Sequence, residues 1–177
     1  MATSRQVYSL NKNKYLLDPE VEKLEYLLHS HIGRDLRNCS LLFLALHTGA
    51  RAQELLNLRP QDLNSYEESV HIHGLKGSND RELPIPSWLF RHLQALSGQD
   101  RLFPITYPRL YQIWDLYRPI DKKFHSLRHT FAIRLYRKTR DLRLVQVALG
   151  HRNITNTMIY ADYVYSQQEL RKLLLPG

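Results

Sequence analysis

Cysteine is almost absent from this chain. Cys39 stands alone among 177 residues, so no disulfide framework is available and a reducing compartment is expected. Cys39 opens an apolar run that reaches Leu46 and is expected to be a buried free thiol. No apolar stretch approaches the ~18–20 residues that a membrane-spanning helix needs. The first residues, Met1–Gln6, lack the apolar core of a signal peptide. A cytoplasmic protein with no membrane partner is expected. Cys-x-x-Cys, His-Glu-x-x-His and acidic clusters are missing as well. His71-x-His73 would put two imidazoles on one face of a strand, with Cys39 as a thiol donor. Without those companions neither a metal nor another cofactor is expected. Internal repeats and low-complexity tracts are also absent.

Acidic residues are scarce in one half only. Residues 1–100 carry 11 Lys+Arg and 12 Asp+Glu, whereas residues 101–177 carry 14 and 5, a net charge of +9. Exposed helix faces rich in Lys and Arg explain a few of these charges but not so one-sided an excess. The pI of about 9.7 and this asymmetry point to a polyanionic partner, most often nucleic acid.

A length of 177 residues and an apolar fraction of 43% suit one domain with short extensions. Residues 1–17 are polar and without a clear period, and are read as a tail or arm. The domain is expected over 18–165, with a C-terminal helix over 166–177. Asp18-Pro19-Glu20 reads as a helix start, with Asp18 as cap. A second helix spans about Asp35 to His47 and is apolar on most sides in its second half. Gly49 stops it, and a short helix follows through Glu54–Leu56.

Ser69–His73 alternates like a strand, Arg81–Ile85 reads as its antiparallel partner, and Lys76–Asp80 between them has turn chemistry. Helical periods follow from Ser87, over Tyr107–Tyr117, over His125–Lys138, over Asp141–Leu149 and, briefly, over Thr155–Tyr163. Ser166-x-x-Glu169 reads as the capping box of a last helix. The expected class is mainly α with a small antiparallel β-sheet (α+β).

The residues that can carry chemistry sit at the edges of these elements. Arg51 follows the turn after the core helix, and Arg128 lies one turn into a later helix. A guanidinium fork matches two nonbridging phosphate oxygens. For either arginine alone, a surface salt bridge is the simpler reading. His125 shares a face with Arg128, and His151 leaves its helix after Gly150. Imidazoles serve as acids, bases or oxyanion donors near neutral pH. His129 is assigned a structural hydrogen bond and a packing role. Tyr160 is the candidate nucleophile. A phenol, with a pKa near ~10, needs a base or nearby positive charge to react. The chain has 11 Tyr, and Tyr163 and Tyr165 are local rivals.

Taken together, Thr48-Gly49-Ala50-Arg51-Ala52-Gln53-Glu54-Leu55, Lys76-Gly77, His125-Ser126-Leu127-Arg128-His129, Leu149-Gly150-His151 and Thr157-Met158-Ile159-Tyr160 occur in that order. Over about residues 18–165 this resembles the catalytic domain of the tyrosine recombinases, the family of lambda integrase and the Xer recombinases. Each motif alone is weak; five in order are specific. The resemblance implies the DNA breaking–rejoining fold and a site-specific recombinase that works through a 3′-phosphotyrosine without metal or ATP.

It also implies roles. Arg51 and Arg128 would clamp the phosphate, and Lys76 would protonate the leaving 5′ oxygen. His125 would be the acid/base, His151 a second phosphate contact, Tyr160 the nucleophile and Glu54 a supporting acid. Implied partners are double-stranded DNA, further protomers in a tetrameric synapse, and accessory DNA-bending or directionality proteins; a bacterial, phage or mobile-element origin is implied as well. Family members usually carry a separate helical DNA-binding domain ahead of the catalytic one, and only about 17 residues precede the first expected helix here. A truncated form or a naturally short member is expected. Ser166–Leu175, with Leu170, Leu173 and Leu174 on one face, is expected to pack on a neighbouring protomer. The competing readings are a non-catalytic DNA-binding module and a relative that relaxes DNA or closes hairpin telomeres.

Overall fold

The computed structural model describes residues 10–75, 77–163 and 167–176. Helix α1 (Asp18–His31) starts where the Asp-Pro-Glu signal places it, but Leu17 is the cap and Asp18 the first helical residue. The Glu20 carboxylate accepts a hydrogen bond from the Leu17 N–H at 2.8 Å, which satisfies a donor that the helix leaves open. The preceding residues are not all outside the domain. Tyr15 and Leu16 are buried, and Leu16 N–H donates to Thr130 Oγ1 at 2.8 Å.

Helix α2 (Leu36–Thr48) is the centre of the core, because nearly every side chain from Asn38 to Leu46 is buried. It packs against α1 and, further along the chain, against α4 (Ser87–Ala95) and α6 (Ser126–Thr139). Gly49 ends α2 in the left-handed conformation, φ 64°, and a Cβ there would meet the Phe131 ring at 2.5 Å. The chain can therefore turn tightly and deliver Arg51 to the start of the short helix α3 (Ala52–Leu56).

The sheet has three strands, one more than the sequence reading expects: β1 (Leu63–Asn64), β2 (Ser69–Ile72) and β3 (Arg81–Pro84), in that order and antiparallel throughout. Two residues carry no period, so β1 is invisible to pattern. Val70 and Ile72 point into the core while His71 and His73 face outward, and the register Val70↔Leu83, Ile72↔Arg81 sets the turn between the strands against the rest of the molecule.

Helices α4 and α5 (Tyr107–Tyr117) complete the main core. Helix α6 and helix α7 (Leu142–Leu149) build a smaller one, made of Tyr15, Ala132, Ile133, Val145, Leu149 and Tyr160. Two 3-10 helices, Ile154–Asn156 and Met158–Tyr163, stand where one short helix is expected. Helix α8 (Gln167–Leu174) follows; Ser166 and the Glu169 side chain, the proposed capping box, lie outside the described residues. No helix among the described residues is long and apolar enough to cross a membrane.

Candidate active site

One cleft of about 710 Å³ is lined by Arg51, His125, Arg128, His129, His151 and Tyr160 together with Thr155, Asn156, Met158, Ile159 and Ala161. Residues from three separate stretches of sequence are thus brought together. Lys76, the remaining cation of the expected set, lies outside the described residues.

Arg51 caps α3, and its own N–H donates to Glu54 Oε1 at 2.8 Å. The spacing Arg51-x-x-Glu54 therefore has a local cause, the capping geometry of a helix start. The Arg51 guanidinium donates to Ser78 Oγ at 2.6 Å, on the turn between β2 and β3. Glu54 is fully buried, and its second task is Arg81, whose two terminal nitrogens both donate to its carboxylate, Nη2 to Oε1 at 3.2 Å. Burial pushes the Glu54 carboxyl up; the hydrogen bonds and charge of Arg81, aided by the Arg51 N–H, outweigh it and hold the carboxyl below its ordinary range. Arg81 reads in the sequence only as the first residue of a strand. Its Nε also donates to Ala148 O at 3.0 Å, which ties the sheet to α7.

Arg128 is buried one turn into α6. Its Nη1 donates to Gly49 O at 2.8 Å and its Nη2 to Leu149 O at 2.9 Å, the ends of α2 and α7. Burial, then the charges of Arg51 and Arg81, push its pKa down to about 9. Three guanidiniums and one carboxylate share this region, so the cleft carries uncompensated positive charge.

Gly150 closes α7 at φ 71°, and the chain leaves the helix axis with His151, as expected. A Cβ at Gly150 would lie 2.6 Å from Asn79 O, so the glycine permits the close approach that forms Asn79 N–H to Gly150 O, 2.8 Å. The Ser78–His151 bridge continues this junction. The turn between β2 and β3 is in this way fastened to the cleft. His151 Nδ1 is 2.9 Å from Thr157 Oγ1.

His129, read from sequence as a packing residue, lines the cleft and meets Tyr160: His129 Nδ1 and the phenol oxygen are 2.8 Å apart. This contact is absent from any spacing rule, because α6 and the 3-10 segment meet only through the smaller core. The Tyr160 ring is 1% exposed. Cys39 takes no part in the cleft. It is buried beneath Tyr117 and Asp35, and burial raises its thiol pKa.

The imidazoles share one electrostatic fate. Burial, then Arg128 and Arg51, push His151 down to about 4. Burial, then His125 and Arg128, push His129 down to about 3. His125 is also lowered to about 4, by burial and then Arg128 and Arg51. All three are neutral at pH 7. In an unfolded chain each would titrate near ~6.5. Below that pH the unfolded state takes up protons that the folded state refuses, so stability is present above about pH 6.5 and is lost as the pH falls toward 4. His125 opens onto the cleft and is screened by water; His129 and His151 are buried and each contribute up to about 1.4 kcal/mol per pH unit before screening. Urea midpoints are expected to fall steadily from pH 6.5 to 4.5, and less steeply in a His129→Gln variant. A flat midpoint over that range would contradict neutral burial.

The chain matches the family model described as Phage integrase family over residues 16–167. A protein of Pseudothermotoga lettingae named tyrosine recombinase is 34% identical over 181 residues, covering 92% of this chain and 62% of that protein. Tyrosine recombinase XerA of Pyrococcus horikoshii is 30% identical over 170 residues, covering 83% of this chain and 56% of its own length. Among solved structures, XerA recombinase superposes with a TM-score of 0.74 at 26% identity, over 96% of this chain and 67% of that one. XerH recombinase bound to its difH substrate, a pre-cleavage complex, gives 0.72 at 26% identity, over 96% and 56%. The chain spans less than two thirds of the length of these curated relatives. The family match over most of the sequence, the superposition on Xer recombinases and the meeting of Arg51, His125–His129, His151 and Tyr160 in one cleft lead to one assignment: this chain belongs to the phage integrase family, the tyrosine recombinases.

Proposed function

We propose that this chain cleaves and rejoins double-stranded DNA at specific sites, with Tyr160 as nucleophile and no metal or ATP. The observation that carries this reading is the placement of the Tyr160 phenol in one cleft with two arginines and three neutral histidines. The Tyr160 phenol gives its proton to His125, its oxygen attacks the phosphorus, the bond to the 5′ oxygen breaks, and the strand leaves as a 5′ hydroxyl with a proton from Lys76. A 5′ hydroxyl from another strand reverses the step, so the ester energy is kept. Arg51 and Arg128 supply the positive charge that stabilises the developing phosphorane. Burial and then arginine repulsion keep His125 and His151 unprotonated; an arriving phosphate offsets the repulsion, which readies His125 as the acid/base and His151 as a donor.

His129 Nδ1 lies 2.8 Å from the phenol oxygen, and burial, then the charges of His125 and Arg128, keep its imidazole neutral. His129 therefore holds the phenol, and the cationic field of the cleft lowers the cost of its ionisation. Glu54 keeps Arg81 and the start of α3 in place.

A library of duplexes nicked just past the scissile position tests the reading, since loss of the short 5′ fragment traps the covalent complex. The expected product carries DNA on the peptide that contains Tyr160. Capture on Tyr163 or Tyr165, or none on any sequence, would overturn it, and relaxation of supercoiled DNA without a site requirement would favour a topoisomerase. Leu173 and Leu174 on α8 are 66% and 73% exposed; we assign this face to a neighbouring protomer on DNA. Deleting residues 166–177 is expected to abolish cooperative assembly in gel-shift titrations while single-protomer binding persists.

A further inference from the structure

Outside the cleft, the outward face of the β2–β3 hairpin gathers a set of donors that the reaction does not use. We infer that His71, His73 and Asp80 form a binding site for a divalent transition metal of the zinc class. Their ligand atoms all lie within 4.8 Å of one another. Asp80 Oδ2 is 3.8 Å from His71 Nε2 and 3.9 Å from His73 Nδ1. Those gaps are too long for hydrogen bonds. They are close to the ~3.4 Å that separates two ligands of a tetrahedral ion with bonds of about 2.1 Å, and small side-chain rotations cover the difference.

Two of the three donors are already oriented from behind. His73 presents Nδ1 to the site because its Nε2 is 2.7 Å from Oδ1 of the buried Asp62. This is the carboxylate–histidine arrangement that fixes the ring and raises ligand basicity at metal centres. Asp80 presents Oδ2 because its Oδ1 accepts the Gly74 N–H at 2.8 Å. The imidazoles come from alternate residues at the end of β2 and just beyond it, with ring centres 4.6 Å apart. Two imidazoles and one carboxylate suit zinc, cobalt or nickel better than magnesium or calcium. Water completes the coordination, since His71, His73 and Asp80 are all solvent-accessible.

The position gives the site a consequence. His73 follows β2 and Asp80 precedes β3, so a shared ion ties the two ends of the connection between these strands. The far side of that turn holds Ser78 against Arg51 and Asn79 against Gly150. Metal occupancy therefore fixes the spacing of the two strand ends beside the cleft. Any effect on DNA cleavage rests on the function proposed above; metal binding does not, so the two can fail separately.

The test uses the untagged full chain. Titration with Co²⁺ is expected to give the visible absorption of a low-symmetry complex at one ion per chain, displaced by Zn²⁺, and Zn²⁺ is expected to slow amide exchange across residues 74–80. The His71→Ala/His73→Ala double variant, whose changes leave Val70 and Ile72 in the core, should lose both signals. Asp62→Asn should weaken Zn²⁺ binding 10–100-fold. Absence of stoichiometric binding in the wild type, or its retention in the double variant, would overturn the site. Unchanged affinity in Asp62→Asn would remove the positioning role of Asp62.

Discussion

Tyr160→Phe is expected to reduce the covalent protein–DNA product to background while the protein stays folded and still binds DNA. The substitution removes one oxygen. The ring stays in the smaller core with Ala132, Ile133, Val145 and Leu149, so the packing term survives. What is lost is the hydrogen bond with His129, worth about 1–3 kcal/mol if His129 finds no substitute. That loss is measurable as a lower urea midpoint but leaves most molecules native. Chemistry responds differently, because a phenyl ring offers no atom to bond phosphorus. Cleavage and stability thus separate in one variant. Gel-resolved adducts formed on a trapping substrate provide the measurement. An adduct that survives the change would move the nucleophile to another residue and with it the reading of the cleft.

Glu54→Ala is expected to be the most destabilising single change near the cleft, by about 3–5 kcal/mol. The carboxylate and the Arg81 guanidinium are almost fully removed from water, and removing the anion leaves a buried cation with Arg128 and Arg51 nearby. The Arg51 N–H also loses its acceptor at the start of α3. Against a typical total of about 5–15 kcal/mol, the variant should unfold at markedly lower urea and show an exposed core at 37 °C. Glu54→Gln keeps the N–H acceptor and should cost less. Glu54→Leu combined with Arg81→Met, which removes both charges at similar volume, should recover much of the loss. A midpoint shift in Glu54→Ala worth less than about 1 kcal/mol would show that water reaches Arg81.

Much of this architecture is written in local signals. The Asp-Pro-Glu start of α1, Gly49 after α2, the turn residues between β2 and β3, and Gly150 after α7 each punctuate the chain where the structure breaks. Those stops matter because Arg51 and His151 follow within two residues of two of them. Long-range pairing was out of reach. Arg81 alternates like any strand residue, and nothing near it in sequence announces that its partner is Glu54. His129 faces Tyr160 only because α6, α7 and the last 3-10 segment share a second core. Strand β1 is too short for a period, and Tyr15 and Leu16 sit in a polar stretch whose composition hides their burial. The uneven charge marks residues 101–177 as basic, but the lowering of every imidazole around the cleft depends on burial and on Arg128 beside them, which only the folded chain brings together.

Arg128 has a further consequence. A free arginine side chain carries about 2 kcal/mol of rotamer entropy, which a ligand must ordinarily overcome before it is gripped. Here that cost is met during folding. The carbonyls of Gly49 and Leu149 pin both terminal nitrogens, at helix ends whose partial negative charge suits a cation. In the proposed reaction the Arg128 share of phosphate binding therefore carries little side-chain ordering cost and is governed instead by how far the two helix ends stay in register.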